Sequence, residues 1–114
     1  MLIRLRDSYV TATGPIHLDV TIGSGQKAYV EVSINGTPVD SGSQIVQRLL
    51  GGGAELAGKR LRVTSTVTDT NPNTNNTAVT YVLRGGQSNR QWISAHDVDV
   101  EGGTVDYDAI FVML

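Results

Sequence analysis

Two alternating runs flank a loop of Asn, Pro and Thr between Arg60 and Arg84, RLRVTSTVTDTNPNTNNTAVTYVLR. Leu61, Val63, Ser65 and Val67 share one face of the first run. Arg60, Arg62, Thr64, Thr66 and Thr68 share the other, as a period of two requires. Val79, Tyr81 and Leu83 continue the apolar face after the loop, with Thr80, Val82 and Arg84 opposite. β-Branched residues suit a half-buried pleated surface. Asn71-Pro72-Asn73 ends the first run, because Pro offers no N–H to a ladder and keeps the preceding residue extended or in a turn. The spacing predicts one long β-hairpin with Val63, Val67, Val79, Tyr81 and Leu83 on its core face.

The same rhythm runs through most of the chain. Ile3 and Leu5 alternate with Arg4 and Arg6, and Gly14-Pro15 ends that first extended stretch. Ile16, Leu18, Val20 and Ile22 alternate with His17, Asp19 and Thr21. Val30, Val32 and Ile34 alternate with Tyr29, Glu31 and Ser33, and Asn35-Gly36 then supplies the positive φ angles of a two-residue hairpin turn. Pro38 limits the returning segment to a short edge strand. Ser43 to Leu50 breaks the rhythm. Ile45, Val46, Leu49 and Leu50 fall at helical spacing, Ser43 can cap, and Gly51-Gly52-Gly53 forces a stop, which predicts a short helix over 43–50. The closing AIFVML is apolar on both faces, so it needs cover on both sides, from the chain's own sheets or from a partner.

Many short strands with turn signals at regular spacing predict an all-β fold. The expected architecture is a single domain, residues 1–114, forming a two-sheet antiparallel β-sandwich of immunoglobulin-like or jelly-roll order. The 13 glycines against 3 prolines suit tight turns rather than extended linkers, and 39% hydrophobic residues provide for a core. A formal charge of −2 gives no field for general nucleic-acid binding or for an acidic membrane. The absence of Cys removes disulfides, thiolate metal sites and a Cys nucleophile. The opening MLIRLRD is too short an apolar run for a signal peptide, and no run approaches a membrane span. The expected location is cytoplasmic, unless the chain is a domain cut from a longer exported protein.

Chemistry-bearing residues are few. His17 lies on the polar face of a strand, and His96 precedes Asp97, whose side chain must point to the opposite face. No nucleophile motif or phosphate-binding loop accompanies them, so no enzyme activity is expected. Asn35-Gly36-Thr37 and Asn75-Asn76-Thr77 match the glycosylation acceptor but sit where turns need Asn. Thr64, Thr66 and Thr68, with Thr80 nearby, make a row that suits the solvent side of a ribbon or contact with sugar hydroxyls. Trp92, the only Trp, is a core anchor or a stacking platform, and Asn73 and Asn75 would be its partners in a carbohydrate site.

The most specific feature is HDVDVEGGTVDYD. A two-residue loop at Gly102-Gly103 would pair Asp99 with Asp106 and Asp97 with Asp108, with Glu101 in line. Like charges directly opposite each other are destabilising and need an offset. That offset is an arginine row, Arg4 with Arg6 or Arg60 with Arg62, or else a Ca²⁺ held by Asp97, Asp99, Glu101, Asp106 and Asp108. The arginine reading is favoured, so no cofactor is expected, with Ca²⁺ as the exception. Taken together, the residues point to a non-catalytic structural or protein-binding module that pairs with a protein partner or with itself as a homo-oligomer. The alternative is a carbohydrate-binding module with Ca²⁺ on the acidic segment. No nucleic-acid or membrane partner is expected.

Overall fold

In the computed structural model, which describes residues 1–114, nine strands form two facing sheets. The strands are β1 (Leu2–Tyr9), β2 (Pro15–Ile22), β3 (Lys27–Ile34), β4 (Thr37–Gly42), β5 (Ile45–Gly52), β6 (Arg60–Thr68), β7 (Asn76–Arg84), β8 (Arg90–Asp97) and β9 (Thr104–Met113). The five-stranded sheet has the order β1-β9-β6-β3-β4 and the four-stranded sheet β5-β2-β7-β8. Every pairing is antiparallel except β1 with β9. The β-sandwich expected from the alternation is the fold. One helical turn, α1 (Gly53–Leu56), links β5 to β6, and no helix is long and apolar enough to cross a membrane.

The alternating faces point where the sequence places them. Leu61, Val63, Val67, Val79, Tyr81 and Leu83 are fully buried, facing Ile16, Leu18, Val20, Val30, Val32, Tyr107 and Phe111 in one core. The pairing differs from expectation. β6 and β7 belong to different sheets and form no hairpin: the 69–75 loop carries the chain across the core, so their apolar faces look at each other. Gln26 holds that loop, accepting from the Thr70 and Asn71 N–H groups and donating to the Thr74 and Asn76 carbonyls. Thr80 therefore lies on the opposite outer face from Thr64, Thr66 and Thr68.

Every connection except β3–β4 and β7–β8 crosses between sheets. The β3–β4 hairpin turns at Asn35-Gly36, with φ of 48° and 83° and Ile34 opposite Thr37, as the dipeptide predicts. Gly102-Gly103 does not make a hairpin. The Asp69 N–H donates to the Gly103 carbonyl and the Gly102 N–H to the Asp69 carbonyl, so this turn closes against the end of β6. β9 is thereby delivered to the five-stranded sheet.

Residues 43–50 are not a helix. Residues from Ile45 onward form edge strand β5, whose register against β2 slips between Leu18 and Val20. Gln47 sits there at φ 47° and donates its N–H to Asp19 Oδ1. An extra residue in a strand turns a period of two into apolar spacings that mimic a helix. Only Ile45 is fully buried, whereas Val46 and Leu49 are exposed. Gly53 is required by a close approach, since a Cβ there would stand 1.7 Å from the Ala12 carbonyl oxygen.

Both open sides of the sandwich are laced. On one, Trp92 Nε1 on β8 donates to Asp7 Oδ2 on β1 (2.8 Å), and Arg90 reaches the same carboxylate and the Ser8 carbonyl. The Arg90 guanidinium lies 4.6 Å from the Trp92 ring. The Trp92 N–H, the Ser8 N–H and Arg90 together hold the Asp7 carboxyl below its ordinary range against the opposing effect of burial. On the other side, Arg48 of β5 approaches Asp40 of β4 at 4.0 Å. Within the run AIFVML, Ala109, Phe111 and Met113 are buried inward, Ile110 and Val112 are half-buried on the outer face between β1 and β6, and Leu114 is exposed.

Leu83→Ala should cost about 2–5 kcal/mol, as truncation in a close-packed core does. Ile93→Ala, on the exposed outer face of the same sheet, should stay within about 0.5 kcal/mol. Denaturant midpoints check the contrast, and equal losses would mean that the buried faces are misassigned.

Candidate functional site

The outer face of the five-stranded sheet carries the chain's main concentration of polar chemistry. Register fixes its rows. Leu2, Asp106, Thr66 and Tyr29 lie side by side on β1, β9, β6 and β3, and Arg4, Asp108, Thr64 and Glu31 form the next row. Side chains on the two inner strands are short and those on the flanking strands are long. The result is a trough of about 290 Å³ with Thr64, Thr66, Asp106 and Asp108 as floor. Leu2 and Arg4 form one wall, Tyr29 and Glu31 the other. A second depression of about 530 Å³ continues past that wall to Pro38 and Ser41 on β4.

Asp108 is the anchor of this surface. Arg62 donates from Nε to Oδ1 (2.9 Å) and from Nη2 to Oδ2 (3.1 Å), a two-point grip. Arg6 donates from Nη2 to Oδ2 (3.1 Å) and from Nη1 to the Asp108 carbonyl (2.7 Å). The Asp108 side chain is 10% exposed, whereas the two arginine side chains are about half exposed. Burial pushes the carboxyl up, but the hydrogen bonds and charges of Arg62 and Arg6 outweigh it and hold the group below its ordinary value of 3.8. One arginine therefore comes from each row named from the sequence. Beside them, Thr66 Oγ1 donates to Asp106 Oδ1 (2.8 Å). Arg4, Glu31 and the Tyr29 hydroxyl have no partner in the chain, and Tyr29 is 55% exposed.

The acidic residues of the HDVDVEGGTVDYD segment are dispersed. Asp97 ends β8 on the other sheet, paired with Asn76, whose Nδ2 donates to it. Asp99 and Glu101 lie in the 98–103 connection, and Asp106 and Asp108 lie on β9. The Asp99–Asp106 and Asp97–Asp108 pairs do not form, because β8 and β9 are in different sheets. No group of three or more His, Cys, Asp or Glu side chains converges at metal-ligand range.

Trp92 is 9% exposed and packs on Phe111 and Tyr9, with ring centroids at 4.5 and 6.3 Å. It is a core residue with its N–H spent on Asp7, and no ring face is free for stacking. Asn73 and Asn75 lie in the 69–75 loop beyond the Asn76–Asp97 end of the β7–β8 ladder, remote from Trp92 opposite Tyr81. The Asn73 N–H donates to the Asn71 side chain and the Asn75 carbonyl accepts from Val98, which are turn roles. Thr77, the acceptor-motif hydroxyl, is buried and bonded to the His96 carbonyl and the Tyr107 hydroxyl. His17 and His96 lie on opposite faces and at opposite ends of the four-stranded sheet.

Tyr29 and Glu31 were legible in the sequence only as the polar face of a strand. What makes them walls is the company of β6 and β9, and no local signal announces that pairing. The chain matches no protein-family profile, and comparison with characterised proteins and with solved structures finds no similar chain in either.

The Asp108 geometry gives a pH-dependent expectation. Because the carboxyl is depressed in the fold, its contribution is present above its ordinary value and is lost as pH falls through the folded value. Asp108→Asn should destabilise by about 1.5–3 kcal/mol at neutral pH, the range for hydrogen bonds to charged groups. The gap between variant and wild type should close as the medium is acidified below about pH 4. Chemical denaturation across pH checks both, and a gap independent of pH would remove the carboxylate from the explanation.

Proposed function

We propose that this chain is a non-catalytic β-sandwich module that works by contact, as a structural or protein-binding domain, through the trough on its five-stranded sheet. The observation that carries the reading is the pair of walls, where Arg4, Glu31 and Tyr29 stand exposed with their polar groups unused by the chain. Neighbouring Arg6, Arg62 and Asp108 are consumed in holding strands together, so the unused groups are available to an external surface. The dispersed histidines and carboxylates give general acid–base chemistry no paired site to work from. The likeness to immunoglobulin domains is one of layers, since only the β3–β4 hairpin joins neighbours within the five-stranded sheet.

A second reading, a carbohydrate-binding surface, is favoured by Tyr29 alone. Its exposed ring stands beside hydroxyls of Thr64 and Thr66, a pairing of apolar face and hydrogen-bonding floor that suits a sugar ring. Trp92, Asn73 and Asn75 do not contribute to it, and a Ca²⁺ component has no converging carboxylates to rest on.

Backbone amide shifts test the contact reading. The protein is titrated with itself from about 10 to about 500 µM, a span that reaches weak specific association, and then with a panel of neutral oligosaccharides. Responses centred on Tyr29, Glu31, Thr64 and Thr66 are expected. Responses confined to the four-stranded sheet, or none at all, overturn the reading.

A further inference from the structure

The trough is self-complementary. On the Arg4 row, the cation stands on β1 and the unpaired Glu31 carboxylate on β3, with β9 and β6 between them. Three strand spacings, about 14 Å at ~4.8 Å each, keep the two from meeting within one chain. The row beside it repeats the arrangement with apolar ends: Leu2 on β1 is 48% exposed and Tyr29 on β3 is 55% exposed. A surface with this pattern is matched by itself after a half-turn about an axis that runs along the strands between β9 and β6. That operation sets the β1 of each copy over the β3 of the other at the same height along the strands. Arg4 then faces Glu31 and Leu2 faces Tyr29, each contact made twice, as an isologous interface demands.

We propose that the partner of this face is a second copy of the same chain, in a two-fold dimer sealed by reciprocal Arg4–Glu31 ion pairs and Leu2–Tyr29 contacts. The inference rests on the contact reading above and names its partner. Sheets pack face to face in near-aligned orientation, which this axis provides. The walls meet while the short Thr64, Thr66 and Asp106 side chains leave a water-filled gap, as polar interfaces commonly contain. The four overlapping strands β1, β9, β6 and β3, of about eight residues each, present roughly 500 Å² in projection per copy, taking ~4.8 Å per strand and ~3.3 Å per residue. That is below the usual ~800 Å² per partner of stable complexes, so the dimer dissociates in the micromolar range and weakens with salt.

Sedimentation equilibrium from about 10 to about 500 µM reads the result. The expected wild-type mass rises toward twice the 12.2 kDa of the chain. Arg4→Glu and Glu31→Arg each remove the association, and the double variant, which exchanges the charges, restores it. Both positions are exposed strand sites, and unchanged thermal midpoints confirm that the variants are folded. A wild type that stays monomeric, single reversals that leave the mass unchanged, or a double variant that stays dissociated overturns the dimer. If the Tyr29 and Thr66 amides still shift with protein concentration in the single-reversal variants, the Arg4–Glu31 dimer fails and the contact reading stands; if they respond to an oligosaccharide instead, the dimer fails and the carbohydrate reading replaces the contact reading. If they respond to neither, both fail.

Discussion

The backbone ladder of β9 is the interaction on which the five-stranded sheet depends. One edge of β9 bonds β1 in parallel and the other bonds β6 antiparallel over all nine residues of β6. Without β9, β1 has no sheet to join and β6 keeps only β3. The apolar closing run is explained by this position, because an interior strand buries Val105, Tyr107, Ala109, Phe111 and Met113 inward and half-covers Ile110 and Val112 outward. The same placement carries Asp106 and Asp108 to the middle of an outer face, where carboxylates can be reached from two neighbouring strands.

Asp108 uses that position to tie three strands through side chains as well as backbone. Arg6 from β1 and Arg62 from β6 converge on one carboxylate, and the pattern of free and occupied charges follows. Arg4, two residues before Arg6, finds the nearest carboxylate already taken. Glu31 finds only Thr64 and Ser41 across from it. A clamp built for stability thus leaves a cation and an anion stranded on opposite walls, and the recognition chemistry of the face is a by-product of how its centre is held.

Much of this architecture was legible in the alternation, and the illegible part has one cause. A period of two says which side of a strand meets the core, and Leu61, Val63, Val67, Val79, Tyr81 and Leu83 all obey it. It does not say whether two successive strands lie side by side or face each other across the core, because both arrangements bury the same residues. Residues 60–84 and 96–108 read as hairpins for that reason, and the acidic segment was expected to stack its carboxylates for the same reason. Asn35-Gly36 was read correctly because a two-residue turn with both φ angles positive leaves little alternative. At β5 the displaced residue at Gln47 disguised a strand as a helix. The lacing of Asp7 to Trp92, across 85 positions of chain, had no local signal at all.

The parallel β1–β9 pairing sets the order in which the molecule can be assembled. β1 is made before the other eight strands of the sandwich, yet its only sheet partner is the ninth. β6 likewise waits for β9, and β2 waits for both β5 and β7. Only the β3–β4 hairpin and the later β7–β8 hairpin can close from adjacent sequence. A nascent chain of this design carries an apolar, unpaired Ile3 and Leu5 segment until the ninth strand has followed. Its folding waits for β9 and is slowed by distant closures, which places its greatest exposure to aggregation before β9 arrives.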